Sequence, residues 1–379
     1  MSELEYVLSL LQPDISQIEA GRTRQAAVWR GEEPDYAPIL LPGVQVPEKA
    51  GWPDYNYKEQ FYDPEKMLIA HLWGLISQAR SAGDGQLSMR PNLGTGFIPT
   101  VFGLEQGVFE DKMPWLKEHL PKEKILSLSP DDFNEENVKG SGLVPRALEY
   151  IAFFKEKLNG KAHVHLSDTQ GSWDIAHLVY GDGIFTEIYD DPDFVHHLLR
   201  LATAAYISVT KVLKRAVGED LSSGYLFNLY MGDGGVRCSE DTATLLSRKV
   251  FNEFVAPYIA SVLRPFGGGW VHFCGSGHQF LEDLVKIPEV KAINFGNPER
   301  YEYETVMGLV LDNGKFYIGG FPRLAGESLR RYFERILRPL ADRGTRRGII
   351  FTPAKADFLD DEEPAMAFDL WHVIQDEII

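Results

Sequence analysis

Residues 270–279 read Trp270-Val271-His272-Phe273-Cys274-Gly275-Ser276-Gly277-His278-Gln279. The first six residues predict a short β-strand that ends at a glycine. Ser276, with Gln279 three residues later, has the pattern of a capping box, which predicts a helix from Gly277 to Ile287. A strand followed at once by a helix is the repeating unit of parallel α/β folds.

His272 and Cys274 lie two residues apart on the predicted strand. Successive side chains of a strand alternate between its faces, so these two point to the same side. An imidazole and a thiolate on one face are two of the ligands that zinc uses in proteins. A His-x-Cys pair also arises by chance, and an unpaired cysteine is often a core residue. The zinc interpretation therefore depends on where this strand ends in the fold.

Strands and helices alternate along the C-terminal two thirds of the chain. Further strands are predicted at 163–166, 225–229, 292–295, 316–319 and 348–351. Helices are predicted at 144–158, 192–212, 239–263, 301–311 and 327–341. This alternation is typical of parallel βαβ units. The number of units, and the lack of a GxGxxG segment after the first strand, favour an α/β fold of the (β/α)8 TIM-barrel type over an open doubly wound sheet.

The chain divides by pattern into two parts. Residues 1–85 are mainly helical by prediction, and residues 86–379 carry the alternating pattern of the barrel. No linker separates them, so we expect an N-terminal helical extension packed on the barrel. Its aromatic residues, such as Trp29, Tyr36 and Trp52, fit a lid over the barrel mouth or ordinary packing against it.

Composition narrows the class of protein. The 379 residues are 44% hydrophobic and 25% charged, which is typical of a globular chain. The net charge of −17 argues against nucleic acid or an anionic membrane as a partner, because both attract clustered Lys and Arg. Two cysteines fit a reducing compartment. The first residues show no signal-peptide pattern, and no apolar run reaches the length of a spanning helix, so we expect a cytoplasmic protein.

Polar residues follow the predicted strands at the ends where barrel enzymes carry their catalytic groups. Any one of them alone can be a turn or capping residue, as Asp commonly is in loops. Their accumulation at successive strand ends predicts an active site. They are His165, Asp168, Gln170, Asn228, Asp233, His272, Cys274, Asn294, Asn297, Glu299 and Thr352.

Several segments resemble the uroporphyrinogen decarboxylase superfamily. They are Trp29-Arg30-Gly31-Glu32-Glu33-Pro34-Asp35, Asp168-Thr169-Gln170-Gly171, Tyr189-Asp190-Asp191-Pro192-Asp193, Met231-Gly232-Asp233-Gly234, residues 245–258 and His272-Phe273-Cys274-Gly275. The resemblance covers most of the chain and implies a (β/α)8 barrel. The superfamily contains decarboxylases of porphyrin biosynthesis and zinc-dependent methyltransferases that serve corrinoid proteins or thiols.

The resemblance is closer to the methyltransferase branch. That branch is marked by His-x-Cys on a strand, which His272 and Cys274 match. True decarboxylases have an early Arg-rich stretch and an Asp in a Phe-Ser-Asp-like loop, whereas residues 90–96 read Arg-Pro-Asn-Leu-Gly-Thr-Gly and the strand ends carry few Arg. The implied activity is a zinc-dependent methyltransferase or demethylase that moves a methyl group between a small substrate and a corrinoid carried by a partner protein.

The methyltransferase branch adds a Cys after a Gly on a late strand, but residues 348–351 contain none. Glu299 is therefore predicted as the third zinc ligand beside His272 and Cys274, with His278 and Cys238 as alternatives. The resemblance also implies roles for the remaining site residues. His272, Cys274, Asp233 and Asp168 would be catalytic, and His165, Gln170, Asn228 and Asn294 would contact the substrate.

Two other functions stay open. One is a decarboxylase of the uroporphyrinogen type that acts on a tetrapyrrole or a smaller carboxylate. The other is a non-catalytic barrel that binds a corrinoid or another small molecule. Metal content distinguishes the methyltransferase from the decarboxylase, and loss of turnover with retained ligand binding would indicate the binding protein. Substrate identity and oligomeric state do not follow from the residues.

Overall fold

The computed structural model describes residues 1–52, 54–359 and 364–379. The α-helices within these ranges are α1 (Glu3–Leu10), α2 (Ile15–Arg30), α3 (Tyr57–Tyr62), α4 (Pro64–Ala79), α5 (Lys122–Leu126), α6 (Glu135–Lys139), α7 (Val144–Leu158), α8 (Ser172–Tyr180), α9 (Ile184–Asp190), α10 (Pro192–Val217), α11 (Arg248–Phe254), α12 (Ala256–Leu263), α13 (Leu281–Leu284), α14 (Tyr303–Asp312), α15 (Leu329–Ala341) and α16 (Pro364–Ile378).

The strands and the short 3-10 helices complete the regular structure. The strands are β1 (Ser88–Met89), β2 (Gln106–Gly107), β3 (Trp115–Leu116), β4 (His163–Val164), β5 (Gly224–Leu226), β6 (Leu229–Met231), β7 (Val236–Ser239), β8 (Gly269–Phe273), β9 (Val290–Phe295), β10 (Phe316–Gly319) and β11 (Ile349–Phe351). The 3-10 helices are Pro47–Lys49, Ile98–Phe102, Pro130–Phe133, Asp241–Leu245, Arg264–Phe266, Pro298–Arg300 and Lys355–Asp357.

Five parallel strands form the main sheet in the order β11-β10-β9-β8-β7. Ser239 lies opposite His272, and His272 lies opposite Asn294. Partners in register on parallel strands project to the same face of a sheet, so these three side chains share one face. The predicted α/β fold with parallel strands is confirmed.

Shorter pairings flank this ladder. Ile39 forms a parallel bridge with Phe351 at one edge, and Gln170 forms one with Ser239 at the other. The strands β1 and β4 pair separately, also in parallel. Among the described residues the continuous ladder therefore has five strands and does not close into the expected eight-stranded barrel.

One predicted strand is wrong. Residues 225–229 form the hairpin of β5 and β6, in which Leu226 pairs with Leu229. Phe227 occupies the turn with a φ of 53°, a left-handed conformation that is rare for a bulky residue. Apart from Asn228, the residues 225–229 are apolar, which is why the sequence suggested one strand. The strand of the parallel sheet is β7, whose first residues Val236 and Arg237 follow the hairpin.

A helix was predicted from Gly277 to Ile287, but the α-helix in this segment is α13, which has four residues. Gln279 does not close a capping box, because its Nε2 donates to the carbonyls of Thr244 and Leu246 at 3.1 and 2.9 Å. The side chain therefore ties this segment to the loop after β7. The helical region 239–263 is likewise divided into a 3-10 turn, α11 and α12.

The long helices follow their capping signals. The helix α7 has the predicted bounds and ends at Asn159, which adopts a φ of 45°. The helix α10 begins after Asp191, whose side chain accepts a hydrogen bond from the N–H of Phe194, and it ends at Gly218. No helix in the described ranges is both long and apolar enough to cross a lipid bilayer.

The face of the sheet that carries His272 and Asn294 has its own small core. Trp270 and Ala292, two residues before them, are buried there with residues from β10 and β11, from the hairpin and from the end of α2. On β8 and β9, the side chains of this face are thus apolar at Trp270 and Ala292 and polar two residues later, at His272 and Asn294. That change of character positions the site.

Candidate metal centre

Asp241, His272 and Cys274 lie together at the C-terminal ends of β7 and β8. One oxygen, one nitrogen and one sulfur from these side chains all lie within 4.8 Å of one another. Cys274 Sγ is 3.5 Å from His272 Nε2, and Asp241 Oδ1 is 3.7 Å from the same nitrogen. Within the described part of the chain, these three side chains form a group that could hold a metal ion.

Asn294 fixes the tautomer of His272. The Nδ2 of Asn294 donates to the carbonyl of Ile318, so its Oδ1 faces the imidazole as an acceptor. His272 Nδ1 therefore carries the proton, and Nε2 keeps its lone pair toward Cys274 and Asp241. Burial, assisted by the charge of Arg237, lowers the pKa of His272 and favours the neutral ring. This outer hydrogen bond is the arrangement that metal-bound histidines normally have.

Two buried carboxylates position Asp241. Glu240 accepts hydrogen bonds from the N–H groups of Trp173 and Asp174 at 3.3 and 3.0 Å, at the start of α8. Asp174 in return accepts from the N–H groups of Asp241 and Thr242 at 2.7 and 3.0 Å. Burial raises the pKa of Glu240 well above its usual value and that of Asp174 to about 6. The start of α8 and the loop after β7 are thus joined by reciprocal capping.

Cys274 is held from two sides. Its N–H donates to Asp241 Oδ1 at 2.7 Å. Partial burial and the Asp241 carboxylate raise the pKa of the Cys274 thiol to about 11, so it is protonated near neutral pH. A Cβ atom on Gly296 would lie 2.4 Å from Cys274 Sγ. The glycine at 296 therefore provides the space in which the sulfur sits.

A second polar cluster lies on the same side of the sheet. Arg90 Nη1 and Arg237 Nη2 each lie 3.0 Å from Asp168 Oδ1, and Gln170 Nε2 donates to Asp168 Oδ2 at 3.2 Å. Burial opposes ionisation of Asp168, but the charges of the two arginines lower its pKa below the usual value. We call Arg90, Arg237 and Asp168 the arginine cluster. It carries two positive charges against one negative charge.

The family model described as uroporphyrinogen decarboxylase (URO-D) matches residues 21–308. The chain belongs to the URO-D family. A solved methyltransferase from Methanosarcina mazei has a similar fold, with a TM-score of 0.63 and 16% identity over 94% of this chain and 98% of that chain. At that identity the likeness concerns the fold alone. A search of curated proteins found no match.

The predicted catalytic residue Asp233 lies at the opposite edge of the sheet in this URO-D-family chain. Its carbonyl accepts a hydrogen bond from the Nζ of Lys291, at the start of β9. Asp233 also lies three residues before Val236, the first residue of β7. It therefore belongs to the N-terminal edge of the strands, whereas His272 and Cys274 belong to the C-terminal edge. Asp233 does lie in a loop, but this loop precedes β7 instead of following a strand of the main sheet, because the strand before it was placed wrongly.

The three side chains considered as a third ligand lie outside the group. Glu299 is exposed on the 3-10 helix Pro298–Arg300, where it accepts a hydrogen bond from Asn297 Nδ2 at 2.9 Å. His278 Nε2 lies 3.0 Å from the carbonyl of Arg300. Cys238 is buried on β7, with its sulfur toward Glu240. The carboxylate that does lie beside His272 and Cys274 is that of Asp241.

Two of the four residues predicted to contact substrate lie at these two clusters, and the other two lie at or near the hairpin turn. Asn294 lies beneath His272, and Gln170 belongs to the arginine cluster. His165 is fully buried, and its ring lies 5.1 Å from that of Phe227 in the hairpin turn. Asn228 is the residue after Phe227 in the same turn. Sequence reasoning missed the site residues Asp241, Arg90 and Arg237. The polar residues Arg237 and Ser239, two apart, were the available signal of a strand with a polar inner face.

Proposed function

We propose that this URO-D-family chain is a zinc-dependent methyltransferase or demethylase. It would move a methyl group between a small substrate and a corrinoid carried by a partner protein. The observation that supports this most strongly is the group of Asp241, His272 and Cys274, with the lone pair of His272 directed into it. The methyltransferase from Methanosarcina mazei, which has a similar fold, is in keeping with this branch of the family.

The donor set of the group fits zinc. Sulfur, imidazole nitrogen and carboxylate oxygen are the ligand types that zinc accepts, whereas calcium and magnesium prefer oxygen alone. Three protein ligands leave a fourth position for substrate, which is the arrangement of catalytic zinc sites. We propose Asp241 rather than Glu299 as the third ligand, because Asp241 Oδ1 is 3.7 Å from His272 Nε2.

Bound zinc would lower the pKa of a thiol or polarise an ether oxygen or amine nitrogen at its open position. His272 would contribute the Nε2 lone pair that Asn294 directs toward the group. Cys274 would give up its proton on metal binding, because the thiolate is the ligand form. Asp168, ionised and held by two arginines, would orient the substrate. His165 Nε2 is buried without a hydrogen-bond partner, so it can accept a hydrogen bond from the substrate.

We also propose that the sheet and its flanking segments belong to one (β/α)8 barrel. Its eight strands would be the segments around residues 39, 87 and 163–171 together with β7 to β11. The segment near Ile39 would come from the N-terminal extension, residues 1–85. The supporting backbone hydrogen bonds are Asp84 N to Ile39 O, His163 N to Leu87 O, Gly171 N to Ser239 O and Leu40 N to Phe351 O, at 2.8, 2.8, 2.6 and 2.7 Å.

The proposed chemistry depends on an unoxidised Cys274, which is exposed. A reducing compartment keeps such a thiol available, so we propose that the protein acts in the cytoplasm. Its partners would be the small methyl donor or acceptor and the corrinoid protein.

The first test is the zinc content of the purified protein and of four variants. We expect near-stoichiometric zinc in the wild type and in Glu299→Gln, and loss of zinc in Cys274→Ser, His272→Ala and Asp241→Asn. Retained zinc in Asp241→Asn together with loss in Glu299→Gln would restore Glu299 as the ligand. A well-folded wild-type protein that takes up no zinc would refute the proposal.

The second test is methyl transfer to free cob(I)alamin, followed by its absorbance, with methylated thiols and methylated amines as donors. Activity that is lost with the zinc in Cys274→Ser would support the proposal. A decarboxylase that acts on a tetrapyrrole or a small carboxylate is the second candidate, because Arg90 and Arg237 together could bind a carboxylate. Release of carbon dioxide by the zinc-free protein would favour that candidate.

A further inference from the structure

A cavity of about 510 Å³ lies between α4, β1 and the turn of the hairpin formed by β5 and β6. Its wall consists of one side of α4, residues of the segment 86–92, and the turn residues Phe227 and Asn228. The described lining contains no residue of the five-stranded sheet and no member of the group Asp241, His272 and Cys274. The cavity is therefore separate in its residues from the candidate metal centre.

The α4 side of the cavity is free of large side chains at its centre. Gly74 lies in the interior of α4, on the same face as Ala70 and Gln78, and all three belong to the wall. A Cβ atom at Gly74 would meet nothing within 4 Å, so packing does not require a glycine there. Glycine weakens the interior of a helix relative to alanine. What it provides at position 74 is open space against the backbone of α4.

The turn on the other side of the cavity carries an aromatic ring that its neighbours hold in place. The guanidinium of Arg90 lies over the ring of Phe227, 5.2 Å from the centroid, and the ring of His165 meets it at 77°. Phe227 nevertheless remains 50% exposed, and its φ of 53° is a strained conformation for a bulky residue. Strain of this kind is concentrated at ligand sites. The fixed ring and the open face of α4 leave room for a flat molecule between them.

Two hydrogen-bond acceptors of the wall have no partner among the described residues. Gln86 is 1% exposed, and its Nε2 donates to the carbonyl of Ile18 at 3.0 Å, but its Oε1 is buried and unpaired. Asn92 Oδ1 is likewise buried and unpaired. Buried acceptors of native proteins are normally satisfied. An N–H or O–H group of a bound molecule would satisfy either of these two.

The charges at the cavity favour a neutral ligand. Arg90 forms an ion pair with Asp168 at 3.0 Å, so its charge already has a partner. Burial and the charge of Arg90 lower the pKa of His71 to about 4, so this wall residue is uncharged near pH 7. The described lining has no carboxylate that could attract a cation.

We propose that this cavity binds a small, uncharged aromatic molecule that carries an N–H or O–H group. The ring of the molecule lies between the Gly74 face of α4 and Phe227, and its donor bonds to the amide oxygen of Gln86 or Asn92. The volume of 510 Å³ falls within the roughly 300–1,000 Å³ of small-molecule sites. Because the metal group contributes nothing to the wall, the site is additional to the proposed function and its occupation does not require zinc.

The test uses two pairs of probes that are uncharged near neutral pH, with binding measured by ligand-observed NMR. Phenol and cyclohexanol both carry a hydroxyl group, but only phenol is flat, so phenol should bind about 2-fold to 10-fold more tightly. Aniline and pyridine are both flat, but only aniline donates a hydrogen bond, so aniline should bind more tightly by about the same factor. Equal binding within either pair would overturn the proposal.

Gly74→Leu places a side chain in the cavity, and Gly308→Leu is the matched control. Gly308 also lies inside a helix, α14, where a Cβ atom would meet nothing within 4 Å, but it is not part of the described lining. Leucine is the better helix former, so both variants should remain folded. Phenol binding should weaken at least about tenfold in Gly74→Leu and stay unchanged in the control. Equal phenol binding by the two variants would overturn the proposal.

Two further variants test the role of the ring and the separation from the metal group. Phe227→Gly relieves the left-handed conformation while it removes the ring, so the preference for phenol over cyclohexanol should disappear. A preference that persists in the folded variant would overturn the role of Phe227. In Cys274→Ser, phenol binding should equal that of the wild type whether or not zinc is bound. Loss of phenol binding in that variant would overturn the assignment of the ligand to this cavity.

Discussion

Gly296 tests the metal centre without changing any of its ligands. In Gly296→Ala, the new Cβ would lie 2.4 Å from Cys274 Sγ, whereas ordinary contact begins at 3.4 Å. The sulfur must therefore move by about 1 Å, several times the roughly 0.2 Å by which zinc–ligand distances vary. Position 296 has no positive φ, so the backbone itself tolerates alanine. We expect zinc affinity to fall and stability to decrease by about 1–3 kcal/mol, the usual cost of overpacking.

The assay is zinc affinity by competition with a chromophoric chelator, together with urea unfolding of the zinc-free protein. Gly308→Ala is the matched control, because a Cβ at this position in α14 meets nothing within 4 Å. That control should bind zinc like the wild type and gain roughly 0.5–1 kcal/mol from the helix preference of alanine. Wild-type zinc affinity in folded Gly296→Ala would refute the assignment of Cys274 as a ligand.

Three further predictions concern protons and hydrogen bonds around the same group. Asn294→Ala removes the acceptor at His272 Nδ1 and should weaken zinc binding about 10-fold to 100-fold in the chelator assay, whereas unchanged affinity would dismiss Asn294 as a positioning residue. The pKa of Cys274 is about 11, so its thiol must lose a proton on binding. Zinc affinity should therefore rise about tenfold per pH unit from pH 7 to 9, and a flat profile would exclude the thiolate as a ligand. The pKa of Asp174 is raised by burial from 3.8 to about 6, so the folded state holds this proton more tightly than the unfolded chain. The contribution of Asp174 to the free energy of unfolding should therefore fall as pH rises from about 4 to about 6. The free energy of unfolding in urea should show that decrease in the wild type but not in Asp174→Asn. The same pH dependence in both proteins would contradict the prediction.

The sequence predicted best the helices and strands whose bounds depend on local signals alone. The bounds of α7 followed from an apolar stripe and from Asn159-Gly160, and β8, β9 and β10 from short apolar runs between turn residues. Prediction failed where tertiary contacts override the local pattern. The apolar run 225–229 folds back at Phe227, a conformation that no propensity favours, and its partners lie in other parts of the chain.

The candidate site was predicted in part for the same reason. His272 and Cys274 share one strand, so their proximity follows from spacing alone. Asp241 comes from the end of β7 and reaches them only through sheet pairing and the contacts of Asp174. Arg90 and Arg237 are 147 positions apart, and they meet because both form ion pairs with Asp168. No local sequence pattern predicts that contact.

The strand that the sequence did not reveal is the one that joins the two parts of the proposed site. Arg237 points from β7 toward Asp168, and Asp241 follows four residues later, at the start of the 3-10 helix after the strand. Glu240, the residue before Asp241, points to the opposite side and accepts the N–H of Asp174 at the start of α8. Arg237 and Asp241, the third metal ligand that we propose, are thus placed by this strand and by the segment directly after it, which the buried Glu240 side chain joins to the start of α8.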